Sequence, residues 1–284
     1  MPLIQRDAPY PHWEFSDAGS GDRLRLVPDR GGLVTGWRCQ GEELLYLDQQ
    51  RFADPALSVR GGIPVLFPIC GDLPAGTLPL PQHGFARDEV WSLTELADGR
   101  GVQMSLNDNS RTRAVYPFQF QLDLAVRLES AALQLSVTVH NSGSTTMPFS
   151  LGLHPYFAVS GLEGVRVEGL PGTGIDQSTQ TEVNPAQQID LLAEGIDLLA
   201  IPADGRADGA RVSLLDGPAH RRLELQCEPP LDLVVIWSDP PRPMVCLEPW
   251  TSPRRSLVTG ERRLELAPGA SLELGCRYVM STVY

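Results

Sequence analysis

Phe120 to His140 reads FQLDLAVRLESAALQLSVTVH, and the spacing of its apolar residues decides the fold class. Phe120, Leu122, Leu124, Val126 and Leu128 alternate with Gln121, Asp123, Arg127 and Glu129. After a short break, Leu133, Leu135, Val137 and Val139 alternate with Gln134, Ser136, Thr138 and His140. Side chains two apart share a face of a strand, so this is a hairpin with one buried side. The chain end repeats the pattern with Leu272, Leu274, Cys276, Tyr278 and Met280 on one face. Leu231 to Trp237 (LDLVVIW) is instead an apolar run broken only by Asp232, which suits a strand covered on both sides. No amphipathic helix of any length appears, and 27 glycines and 25 prolines punctuate the short strands. These features predict an all-β chain, one large antiparallel β-sandwich with little helix.

No shift of composition divides the chain, so residues 1–284 are expected to form a single domain, with Met1 to Ser20 a weakly patterned lead-in. The region from Gly161 to Gly209, rich in Gly, Asp, Gln and Pro, reads as loop-like excursions from the same sandwich.

Composition removes several functions. A net charge of −12 argues against binding nucleic acid or an anionic membrane, both of which need a basic face. All 23 positive residues are arginine, which excludes Schiff-base aldolases, pyridoxal-phosphate enzymes and phosphate-loop nucleotide enzymes, since each needs a lysine. The five cysteines are widely spaced with no C-x-x-C pair, so neither a zinc site nor a disulfide framework is indicated. They read as reduced core residues. With no leader pattern at the start and no run of about 18 apolar residues, the expected location is the cytoplasm.

Four stretches carry chemistry. In LGLHPYFAV, Leu151 to Val159, a proline holds the backbone after His154 extended, and two aromatics lie beside a group that titrates near neutrality. In SVRGGIPVLFPICG, Ser58 to Gly71, adjacent glycines permit a tight turn after Arg60, which reads equally as a ligand donor or as a loop tie. In PQHGFARDEVW, Pro81 to Trp91, the donors Gln82, His83 and Arg87 crowd around Phe85. Sugar sites have this make-up: planar donors for hydroxyls and an aromatic for the apolar ring face. The alternative there is a turn capped by His83, with Arg87 paired to Asp88 or Glu89. In CLEPWTSP, Cys246 to Pro253, alternation puts Glu248 on one face with Met244 and Cys246. A buried carboxylate is costly unless it is bonded or used, and Arg254 or Arg255 could pair with it.

The ordered series RGGIPVLFP, QHGFAR, LGLHPYF and EPW resembles the aldose 1-epimerase (mutarotase) superfamily, particularly its hexose-6-phosphate mutarotase-like and bacterial aldose-epimerase-like branches. The resemblance runs from about Arg60 to the C-terminus and includes SLVTGERRLELAPGASLEL. It implies a large β-sandwich and interconversion of α and β sugar anomers with no metal and no other cofactor. It also implies His154 and Glu248 as catalytic residues, and His83, Arg60, Gln82, Arg87 and Asp197 as substrate-binding residues. Leu153 stands where galactose-type members have asparagine, which favours the divergent branches.

Opening a hemiacetal requires a base for the anomeric hydroxyl and an acid for the ring oxygen, so the expected starting state has Glu248 ionised and His154 protonated. The implied partner is a small sugar or sugar phosphate, with Arg60 and Arg87 able to grip a 6-phosphate. Two other classes compete: a cupin-like metal enzyme using His83, His154 and Glu248, and a carbohydrate-binding module without catalysis, which would need neither the acid nor the base.

Overall fold

The computed structural model describes residues 3–193, 195–202 and 209–283, so Met1 and Pro2 of the lead-in and part of the loop-rich region lie outside the described residues. The sequence hairpin forms as two paired strands, Phe120–Glu129 and Ala132–Asn141, with Leu124 opposite Val137 and Val126 opposite Leu135. Its apolar side chains are buried and its polar ones half exposed. On one side it joins the final strand, Ser271–Thr282, and on the other Gly101–Asn107, at the centre of an eight-stranded antiparallel sheet.

A second eight-stranded sheet carries the stretches with chemistry. From its third strand to one edge it runs Asp197–Ile201, Leu233–Ser238, Met244–Trp250, Gly152–Leu153 and Val65–Leu66, and Tyr156–Ala158 also pairs with Met244–Trp250. Strand alternation gives this sheet two buried faces. Val234, Ile236, Val245 and Leu247 enter the main core with the first sheet, whereas Leu233, Val235 and Trp250 form a second apolar cluster on the other face. That explains the apolar run, and the strand begins at Leu233, just after Asp232, rather than at Leu231. The Tyr278 hydroxyl donates to the Leu247 carbonyl at 2.8 Å and ties the two sheets together one residue before Glu248.

Among the described residues helix is confined to short pieces, the longest being Ser110–Val115. No helix among the described residues is long and apolar enough to cross a membrane. Two regions are more regular than their patterning suggests. Ile4–Arg6 and His12–Ser16 are strands of a separate five-stranded sheet, and the loop-rich region contributes Val165–Glu168, Thr173–Asp176, Thr181–Val183 and Asp197–Ile201. The adjacent glycines after Arg60 do turn the chain: a Cβ at Gly61 would lie 2.5 Å from the Leu47 Cα, and one at Gly62 2.5 Å from the Val34 carbonyl oxygen.

Candidate active site

Arg60, Gln82, His83, Arg87, His154, Asp197 and Glu248 all line one cavity of about 140 Å³, together with Trp237, Trp250 and Arg254. They come from chain segments far apart in sequence, brought together on the outer face of the second sheet. His154 follows the strand Gly152–Leu153, and its backbone N–H donates to the Pro64 carbonyl at 3.0 Å. Its ring stacks on Tyr156 with centroids 4.7 Å apart and planes 7° apart, which fixes its orientation. Glu248, near the end of Met244–Trp250, accepts from the Trp250 indole at 3.0 Å. The two meet at the cavity floor, His154 Nδ1 lying 3.4 Å from Glu248 Oε1.

Both groups are buried, His154 to 6% exposure and Glu248 to 1%, and burial opposes charge on each. Burial first, then Asp197, pushes the Glu248 carboxyl well above the usual carboxylate range. Burial first, then His83, Arg87 and Arg60, pushes the His154 imidazole well below its ordinary value. Both shifts favour the neutral forms, so burial biases a proton shared by the pair toward the carboxyl. Burial thus opposes the ionised starting state that the reaction calls for, because low polarity favours the neutral arrangement of the same single proton.

His83 is held at both its backbone and its ring. Its backbone N–H donates to Gly71 O at 2.6 Å, and its Nδ1 accepts from Gly71 N–H at 3.1 Å. Burial, then Arg87, Arg254 and Arg60, lowers its pKa to about 3, so the neutral ring carries its proton on Nε2. Arg60 sits over the Trp237 ring at 5.1 Å. Arg87 donates to the Gln82 carbonyl at 2.7 Å, and its Nε is buried with no partner. Neither Asp88 nor Glu89 pairs with Arg87; Glu89 instead accepts from Asn109 and Arg111 at 2.8 and 2.9 Å. The partners open to Glu248 are also taken: Arg254 pairs with Asp197 and Arg255 with Asp72.

Trp237, Arg254 and Gln177 were not singled out from sequence as site residues. Trp237 reads as the end of an apolar strand, and nothing local links Arg254 to an aspartate 57 residues away.

The ligand atoms of His154, Cys246 and Glu248 lie within 4.8 Å of one another, a spacing that a transition-metal ion could bridge. Three guanidinium groups, Arg60, Arg87 and Arg254, line the adjoining cavity and oppose a divalent cation there. His83, the third member of the metal set considered from sequence, turns its Nδ1 to a backbone N–H instead. What the arrangement offers chemically is a buried acid–base pair ringed by planar donors and aromatic faces.

Comparison with known proteins bears on the family and the fold. A curated relative from Escherichia coli, provisionally named a glucose-6-phosphate 1-epimerase, is 32% identical over 171 residues, covering 59% of this chain and 54% of its own. The chain thus aligns with about half the length of the first curated relatives it matches. The solved structure of the Slr1438 protein from Synechocystis is 34% identical, covers 99% of each chain and superposes with a TM-score of 0.88. A galactose mutarotase related enzyme from Lactobacillus acidophilus shares the fold at 23% identity and a TM-score of 0.77, covering 96% of this chain and 98% of its own. The family profile described as aldose 1-epimerase matches residues 21–279, and the chain belongs to that family.

Proposed function

We propose that this protein is a mutarotase that interconverts the α and β anomers of an aldohexose, with Glu248 as base and His154 as acid. The observation that carries this reading is the 3.4 Å approach of His154 Nδ1 to Glu248 Oε1 at the floor of the cavity. The anomeric hydroxyl and the ring oxygen are both bonded to C1, so the groups that serve them must lie within a few ångströms of each other. Glu248 takes the hydroxyl proton as His154 protonates the ring oxygen. The C1–C2 bond then rotates, and the two roles reverse as the ring closes on the other face. The ionised tautomer starts the cycle, and Arg254 favours it by stabilising the carboxylate, whereas Arg60 stabilises the carboxylate but opposes the imidazolium. His83, with Nε2–H fixed, donates to a sugar hydroxyl, and Gln82 and Asp197 are placed to bond others.

Because the pair keeps one proton over a wide range, kcat/KM should be level through neutrality. It should fall in acid as a second proton binds and fall in alkali as the only one leaves. A rate profile on protein shown to be folded checks this, and a profile still climbing steeply through neutrality would contradict the shared proton.

A second reading, action on a hexose 6-phosphate, is favoured by Arg60 and Arg87. Neither has a carboxylate within salt-bridge reach among the described residues, in a chain where most arginines do. If both bind a phosphate, glucose 6-phosphate should anomerise with a lower KM than glucose or galactose, and raising salt should weaken only the phosphorylated sugar. Polarimetry of the three sugars at low and high salt tests it. Equal KM values at low salt would leave the neutral hexose as substrate.

The same reading treats residues 1–284 as one catalytic domain, supported by a main core cluster whose members run from Phe15 to Met280. It places the protein in the cytoplasm, where five unbridged buried thiols stay reduced.

A further inference from the structure

Asp197 lines the cavity with both carboxylate oxygens already engaged. Oδ1 accepts from the Gln177 amide at 2.7 Å, and Oδ2 accepts from the Arg254 guanidinium. Arg254 Nε donates to Gln177 Oε1 at 2.8 Å, closing a ring of three planar groups. Gln177 is itself tied to the ring, its backbone N–H donating to the Asp197 carbonyl at 2.8 Å. The Arg254 stem passes over Gly71, where an added Cβ would lie 2.3 Å from Arg254 Cγ. Gly71 also donates to His83 Nδ1. One turn therefore fixes the His83 tautomer and leaves room for the arginine.

We propose that Arg254 is a positioning residue of this site: its fork to Asp197 and Gln177 locks the Asp197 carboxylate in one orientation at the cavity wall and cancels its charge beside Glu248. This rests on the reading of His154 and Glu248 as the acid–base pair. A carboxylate already held in place does not have to be ordered when a sugar hydroxyl arrives, so binding costs less. The charge balance follows from what faces the pair. Asp197 raises the proton affinity of Glu248, while Arg254 and Arg60 lower it. Around Asp197 itself, Asp176 adds negative charge, and Asp72 lies 3.7 Å from Arg254. On the other side of the pair, His83, Arg87 and Arg60 act on His154, and burial keeps the Cys246 thiol protonated. Without Arg254, the Asp197 charge would stand uncompensated and both protonation steps of the pair would move to higher pH.

The test compares wild type, Arg254→Met and Arg254→Lys, each shown to be folded by circular dichroism, for KM and for the acid limb of the rate profile. Arg254→Met should raise KM about tenfold and move the acid limb upward by up to about one pH unit. Arg254→Lys keeps the charge but lacks the planar guanidinium whose Nε and Nη2 span Gln177 and Asp197, so its limb should stay in place while KM still rises. Folded Arg254→Met with wild-type KM and an unmoved limb would overturn the proposal, as would a loss that merely follows the folded fraction. A wild-type protein that fails to anomerise any sugar would remove the mutarotase reading and this inference together. Normal wild-type activity with an unchanged variant removes the inference alone.

Discussion

Glu248→Gln is expected to lower anomerisation by about 10² or more, while sugar binding survives. The amide keeps the length and planarity of the side chain, and its oxygen can still accept from the Trp250 indole that now bonds Glu248 at 3.0 Å. What disappears is the proton acceptor 3.4 Å from His154. The substitution also replaces a buried ionisable group by a neutral one, so the fold should tolerate it well. His154→Asn should lower the rate similarly, because it removes the acid while keeping a planar polar group against Tyr156. If the two residues served only to hold the cavity together, both variants would lose stability but the folded fraction would turn over normally. Rates normalised to folded protein separate these outcomes.

Phe67→Ala should cost roughly 3–5 kcal/mol of stability. Phe67 is fully buried, and its ring lies among Phe85, Tyr116, Phe120 and Phe149 at centroid distances of 6.1, 5.9, 5.0 and 5.8 Å. Neighbours from several separate segments cannot all collapse into the void, so the cavity penalty adds to the lost burial. The loss should also reach the site. The Phe67 carbonyl accepts from the backbone N–H groups of Phe85 and Ala86, holding the segment that carries Gln82, His83 and Arg87. Urea unfolding gives the cost directly, and a loss below about 1 kcal/mol would mean that this cluster is not tightly packed.

The legibility of the sequence follows burial. Phe120 to His140 announces its strands because one face meets the core and the other meets solvent, which writes period two into the residue types. Ile4–Arg6 is exposed throughout, so no alternation marks it as a strand. Asp197–Ile201 is a strand held between partners, and its neighbourhood of Gly, Asp and Pro hides it. At the site, local motifs were readable because turn-forming glycines and prolines lie beside the chemical groups. Long-range pairings were not. Arg254 is six residues from Glu248 in sequence, yet it serves Asp197. Protonation was hidden for a related reason. The reaction demands an ionised pair, but how far burial pushes each group toward neutrality depends on contacts that only the fold creates.

If the buried His154–Glu248 pair moves protons on a hemiacetal, exchange NMR between the α and β anomer signals will show it. With a catalytic amount of wild-type protein, anomer exchange of glucose or glucose 6-phosphate should run well above the rate in buffer and return nearly to that rate with Glu248→Gln. Exchange no faster than in buffer for hexoses and their 6-phosphates, or acceleration that persists in folded Glu248→Gln, would contradict it.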